Sequence, residues 1–205
     1  MTALISSEKR YNDQEFKELN LDGTKINSSE FIDCEFINCS FVESEFKQCR
    51  FVNCDFKYCD LSLSKVPGSL FNYTCFENSK IIGVNWAQAD WPISDLGQPI
   101  SFLKSAINHS TFIGLSLKSI QIIDCAAVDV DFREADLSKS DFSGSDLSES
   151  LFIHTNLSGA NLSQARNYLI DPGLNDLKKA KFSLPEAMSL LYNMDIILTS
   201  GEIKA

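Results

Sequence analysis

Every fifth residue from Phe16 to Leu61 is apolar: Phe16, Leu21, Ile26, Phe31, Phe36, Phe41, Phe46, Phe51, Phe56 and Leu61. Helical faces recur every 3.6 residues and strand faces every 2, so ten successive hits at a spacing of five exclude both as the organising element. A fixed short period is the mark of a solenoid, in which each unit buries its apolar side chain only by stacking on its neighbours.

The same phase continues through Val66, Phe71, Phe76, Ile81, Trp86 and Trp91. It then slips by one residue, to Phe102, Ile107, Phe112, Leu117 and Ile122, and after a weak Ala127 runs from Phe132 to Leu162. The position two before each centre is small, as in Ser29, Cys34, Cys39, Ser44, Cys49, Cys54 and Cys59, and later Ala135, Ser140, Ser145 and Ser150. The residue just before the centre is often Asp, Asn or Glu, so ADLSK, SDFSG and ANLSQ read small, polar, large apolar, polar, variable.

This pattern resembles the pentapeptide-repeat family and covers residues 14 to 166. The resemblance implies an all-β fold: a right-handed quadrilateral β-helix, or pentapeptide-repeat solenoid, with one pentapeptide per side and four per coil. Independently of the family, a coil of four units requires residues 20 apart to share character. Tyr11, Phe31, Phe51, Phe71 and Trp91 do so, as do Phe16, Phe36, Phe56 and Phe76, then Phe112, Phe132 and Phe152, and Leu117, Leu137 and Leu157. The expected structural core therefore includes Phe31, Phe36, Phe51, Phe56, Phe71, Phe76, Phe112, Phe132, Phe152 and Leu137.

The expected organisation is an N-terminal cap over 1–13, a first coil stack over 14–91, a loop or register slip over 92–101, a second stack over 102–166 and a C-terminal cap over 167–205. The segment PISDLGQPIS holds two prolines and a glycine where the phase slips, the best place for a bulge or projecting loop. Trp86 and Trp91 fall in centre register and are expected in the core.

No run of 18 apolar residues is present, so no membrane partner is expected. The opening MTALISSEKRYNDQ lacks the pattern of an export signal. With seven cysteines in no disulfide-framework spacing, this points to a reducing cytoplasm. Cys34, Cys39, Cys49, Cys54 and Cys59 invite a metal reading, but they occupy the small inward position, where free Cys serves as a compact apolar group. Zinc sites favour CxxC-type spacing and tetrahedral convergence. No metal and no cofactor are expected.

The net charge of −10 argues against direct nucleic-acid binding, which needs clustered Lys and Arg. Between residues 126 and 150 there are seven acids against two bases. Two readings stay open: Asp before the centre serves local turn chemistry by bonding nearby amides, or the acids form a binding face. His109 and His154 each lie two after a centre and should face solvent on different faces. Without a cluster of His, acid and nucleophile, the chain reads as no enzyme.

Past Arg166 the pentapeptides stop. Ser183, Pro185 and Glu186 make a helix start, and the helix is expected over about 184–193, with Leu184, Met188, Leu191 and Leu190 as its apolar stripe, followed by a short extended run from Asp195 to Leu198. Apolar surface at one end of a rod can pair with itself and give a C2 homodimer through the C-terminal end, with Leu184, Met188, Leu191, Ile196 and Ile197 as the dimerisation residues.

The tail order Asp171-Pro172, Asn175, Lys178 to Lys181 and Leu184-Pro185-Glu186-Ala187 resembles the microcin-immunity and quinolone-resistance (Qnr-type) subgroup. That resemblance implies a dimeric rod that protects DNA gyrase or topoisomerase IV from a poison by DNA mimicry, as a binding function without turnover. On it, Asp131, Glu134, Asp136, Asp141, Asp146 and Glu149 form the acidic face that engages the partner. The alternative is a protein–protein interaction scaffold, since a solenoid displays any outward side chain without altering its core.

Overall fold

The computed structural model describes residues 5–91, 100–194 and 196. It is a right-handed, four-sided β-solenoid of about eight turns with one short helix near the C-terminus. Strands are only two to four residues long, such as Glu15–Lys17, Glu35–Ile37 and Asp55–Lys57, because each side spans one pentapeptide before the chain turns. Among the described residues all pairing is parallel, and on both sides of one insertion residue i stands opposite residue i+20: Phe16 faces Phe36, Phe31 faces Phe51, and Ile26 faces Phe46.

The 20-residue step stacks like on like. Along one side the rings of Phe16, Phe36, Phe56 and Phe76 lie parallel with centroids 5.0, 4.4 and 4.8 Å apart. Tyr11, Phe31, Phe51 and Phe71 do the same at 5.1, 4.9 and 5.0 Å. The two columns meet edge to face, as between Phe31 and Phe36 at 5.5 Å. Offset stacks and edge contacts are the two favoured ring geometries, so the core satisfies both at once.

The small position does more than leave space. Its hydroxyl or thiol donates to the carbonyl of the centre residue one coil earlier: Ser69 Oγ to Phe46 O at 2.8 Å, Ser145 Oγ to Ile122 O at 2.7 Å, Thr155 Oγ1 to Phe132 O at 2.9 Å, Cys54 Sγ to Phe31 O at 3.3 Å. The corners place the residue two after the centre in the left-handed region, as at Asn38, Asp129 and Glu149. The left-handed corner is taken by many residue types, but at Gly144 a Cβ would fall 2.1 Å from the Asp124 carboxylate one coil earlier, so with Asp124 placed as it is this corner favours glycine.

The register slip has a larger cause than one residue. Across it, Thr74 pairs with Ile100, Phe76 with Phe102, Lys80 with Ala106 and Asn85 with Thr111, a step of 26 in place of 20 and so six residues more. A slip of one and an insertion of six look alike in a five-residue phase. The expected loop 92–101 overlaps residues 92–99, which lie outside the described residues, while Ile100 and Ser101 belong to the strand Ile100–Leu103. Trp86 is buried as expected, stacked over Phe112. Trp91 departs from its column: it is half-buried, its ring meets Trp86, and its indole N–H donates to Trp86 O at 2.9 Å.

Coil stacking continues past Arg166, with Asn156 opposite Asp176 and Leu162 opposite Phe182. The last helix is 3-10 and spans Glu186–Met194. At the expected helix start both side chains bond to the previous coil and not to each other's backbone: Ser183 Oγ accepts from Gln164 N at 3.1 Å and Glu186 Oε1 from Asn167 N at 2.5 Å. Among the described residues no helix is long and apolar enough to cross a membrane.

The aromatic columns set the scale of stability. Phe51→Ala removes a ring stacked on two neighbours and is expected to cost about 3–5 kcal/mol in urea unfolding, whereas the outward Ile113→Ala is expected to stay within about 0.5 kcal/mol of the parent.

Candidate functional site

Taking the sides in chain order from Phe16, the third side carries Phe112, Phe132 and Phe152 as centres and the fourth Leu117, Leu137 and Leu157; the first and second carry Phe142 and Leu147 in the same coil. Residues five apart therefore occupy successive sides. Asp131, Asp136, Asp141 and Asp146 precede the centres of the third, fourth, first and second sides in turn, so the six acids do not share one face. The 20-residue coil already dictates this, and the expectation of an acidic face is corrected by it.

Each of these four aspartates accepts from the backbone amide two residues on: Arg133 N to Asp131 at 3.1 Å, Ser138 N to Asp136 at 3.1 Å, Ser143 N to Asp141 at 2.9 Å and Ser148 N to Asp146 at 3.1 Å. Three also bridge coils. Asn156 Nδ2 donates to Asp136 and Asn161 Nδ2 to Asp141, each at 3.0 Å, while Asp146 receives Asn167 Nδ2 at 3.0 Å and pairs with Arg166 at 3.4 Å. Their position before the centre is thus explained by turn and inter-coil chemistry.

Three of the six acids border one side of the coil. Asp131 lies on the third side, Glu134 projects from the corner at its far edge, and Glu149 from the corner at its near edge. Asp129 stands one coil before Glu149, 2.9 Å from His109 Nδ1. His109 and His154 sit at opposite corners of this side, exposed as expected. Between the corners lie Ile113, Leu151 and Ile153, which the charge count alone did not single out.

In the N-terminal coils acids are matched by bases one coil away: Glu30 lies between Arg10 at 3.7 Å and Arg50 at 3.2 Å, and Lys57 pairs with Glu35. In the C-terminal coils acids outnumber bases seven to two between residues 126 and 150, and Asp136 and Asp141 face the neutral Asn156 and Asn161, although Lys118 lies 4.0 Å from Asp136 and Arg166 3.4 Å from Asp146. The negative field is therefore strongest there. The side-chain hydrogen bond from Arg133 to Asp131, 2.7 Å from Nη2 to Oδ2, holds that carboxyl below its ordinary value.

Cys34, Cys39, Cys49, Cys54, Cys59 and Cys125 are buried at inward positions, and burial pushes Cys125 up to about 12. Cys54 and Cys59 are raised by the thiol stacked one coil earlier and by burial. Cys75 differs: it precedes the centre Phe76 and is half-exposed beside Ser101. Among the described residues no group of three or more His, Cys, Asp or Glu is placed to hold a metal ion.

At the C-terminal end Leu184, Met188, Tyr192, Met194 and Ile196 are exposed, together with Leu169. Of the expected dimerisation residues, Leu184, Met188 and Ile196 belong to this apolar end, Leu191 is half-buried, and Ile197 lies outside the described residues. A shallow groove of about 510 Å³ runs between residues 167–169 and the helix, lined by Met188, Ser189 and Tyr192.

Comparison with known proteins agrees with this architecture. The model of the pentapeptide repeat region matches residues 29–98 and that of eight pentapeptide repeats matches residues 128–166. The chain belongs to the pentapeptide-repeat family. Among solved structures it is similar to a trypsin-treated, singly substituted form of QnrB1, a plasmid-mediated fluoroquinolone resistance protein. That match has a TM-score of 0.69 and 19% identity, over 93% of this chain and 99% of that one. Full-length QnrB1 matches with a TM-score of 0.54 and 18% identity, over 89% of this chain and 100% of that one. No curated protein matches the chain by sequence.

Asp131 is expected to titrate below its ordinary value by carboxyl-carbon NMR, and Arg133→Gln to move it back up. Since the folded value is the lowered one, its contribution to stability is present at neutral pH and lost as pH falls through that value. A thiol reagent is expected to titrate Cys75 first in the native protein and all seven cysteines after unfolding.

Proposed function

We propose that this protein is a non-enzymatic binding protein that protects DNA gyrase or topoisomerase IV from quinolone- or microcin-type poisons, acting as an acidic rod in place of duplex DNA. The observation that carries the proposal is the end-to-end match to a fluoroquinolone resistance protein, together with the negative field of the C-terminal coils. A basic DNA-binding surface attracts such a rod through long-range charge, and the rod competes for that surface without turning over. The corrected geometry changes which acids take part. Glu134 and Glu149 project from corners, while Asp136, Asp141 and Asp146 hold turns and coils together and contribute chiefly to the field.

On this reading the working form is a homodimer in the cytoplasm, joined at the C-terminal end where Leu184, Met188, Tyr192 and Ile196 are exposed. An apolar cluster at one end of a rod suits isologous pairing. The second reading is an interaction scaffold with a different protein partner, favoured by the apolar residues exposed along the third side.

The deciding experiment is DNA supercoiling by purified gyrase with a fluoroquinolone over a series of concentrations of this protein. Rescue is expected at low protein, weakened by the double charge reversal Glu134→Lys with Glu149→Lys and by added salt. Absence of both rescue and inhibition removes the gyrase reading and leaves the scaffold.

A further inference from the structure

The third side combines features that the gyrase reading does not use. Ile113 and Ile153 lie in line along the rod with Arg133 between them, as the ladder bonds Gly114 N to Arg133 O and Glu134 N to Ile153 O require. Leu151 stands beside Ile153, and the next coil adds Leu174, whose carbonyl accepts from His154 N. Ile113, Leu151, Ile153 and Leu174 are 37, 41, 37 and 44% exposed and form an apolar strip on three of four consecutive coils, interrupted on the second by Arg133. The charge of Arg133 is matched within its own coil by Asp131, leaving its stem as part of the strip. One corner column carries His109, Asp129 and Glu149, with Asp129 bonded to His109, and the other carries Glu134 between Gly114 and His154.

We propose that this strip is a docking surface for a basic amphipathic α-helix of a partner protein, lying along the rod. Two complementarities select that occupant. Successive coils are about 4.8 Å apart and successive turns of a helix about 5.4 Å, so a helix laid along the side presents one apolar residue to each coil across the strip. Lysines and arginines flanking its apolar stripe then meet acids on both corners, while an acidic or neutral helix would leave those carboxylates opposed or unmatched. The surface lies on one side of the rod and reaches its last coil at Leu174, and it does not require the partner to be a topoisomerase.

The test uses the full chain and a fluorescent helical peptide of about 14 residues, Leu at helical spacing and Lys elsewhere, with a Glu-for-Lys peptide as its reverse. Binding of the Lys peptide is expected, with at least about a tenfold loss on the double substitution Leu151→Glu with Ile153→Glu. Ile123→Glu, on the first side, is expected to change affinity less than about twofold. Circular dichroism melting of both variants confirms that the solenoid is intact; if the double variant fails to fold, Ile153→Ala alone replaces it, with a smaller loss in the same direction. Equal loss at both sides, binding of both peptides alike, or no binding overturns the proposal. A change in molecular mass by light scattering on substitution of the third side, without peptide binding, also overturns it and assigns the strip to self-association. The gyrase assay is separate: rescue retained by the Leu151/Ile153 variant together with lost peptide binding leaves both proposals standing, whereas lost rescue with unchanged peptide binding counts against this one alone.

Discussion

The parallel register of residue i on residue i+20 is the constraint from which the rest of the molecule follows. It places identical rings over one another, and it brings the serine or cysteine two before each centre within reach of the carbonyl one coil earlier. Each side is too short to be stable as a sheet on its own. Stability instead accumulates along the rod, coil by coil, through contacts made only with the coil before and the coil after. The same rule governs the outside, since a side chain's neighbours above and below are set by sequence arithmetic and not by folding at a distance.

Much of this was legible in the sequence. The five-residue period gave the solenoid, and the recurrence of Phe16, Phe36, Phe56 and Phe76 gave the coil length, because only one architecture buries side chains at those spacings. The insertion was harder to see: six extra residues leave the same phase as one, and only the pairing of Phe76 with Phe102 separates the two. The helix start at Ser183 was visible, but its side chain had a better partner in Gln164, a contact that depends on the coil beneath and has no local signature.

The acids show the opposite case, in which the needed information was present in the sequence. Asp131, Asp136, Asp141 and Asp146 are five apart and must face four directions. Their count described the field of the rod, while their spacing described turns. What remains as an outward surface is the third side, where Glu134 and Glu149 border Leu151 and Ile153, and the apolar end around Leu184 and Met188. What this arrangement presents outward is shape, charge and apolar surface.

The alternation of Asp with Asn has an electrostatic consequence of its own. In a stack that repeats every 20 residues, an unbroken row of aspartates would set like charges about 4.8 Å apart. Ser116, Asp136, Asn156 and Asp176 instead lie in one column, and Asn156 donates to Asp136. The carboxylates of that column are thereby about 9.6 Å apart, twice the strand spacing, which exceeds the screening length of about 8 Å in physiological salt. Along this column the charge spacing is built into the coils, so that neighbouring coils hardly repel each other there, whereas the directly stacked Glu15, Glu35 and Asp55 rely on Lys17 and Lys57 beside them.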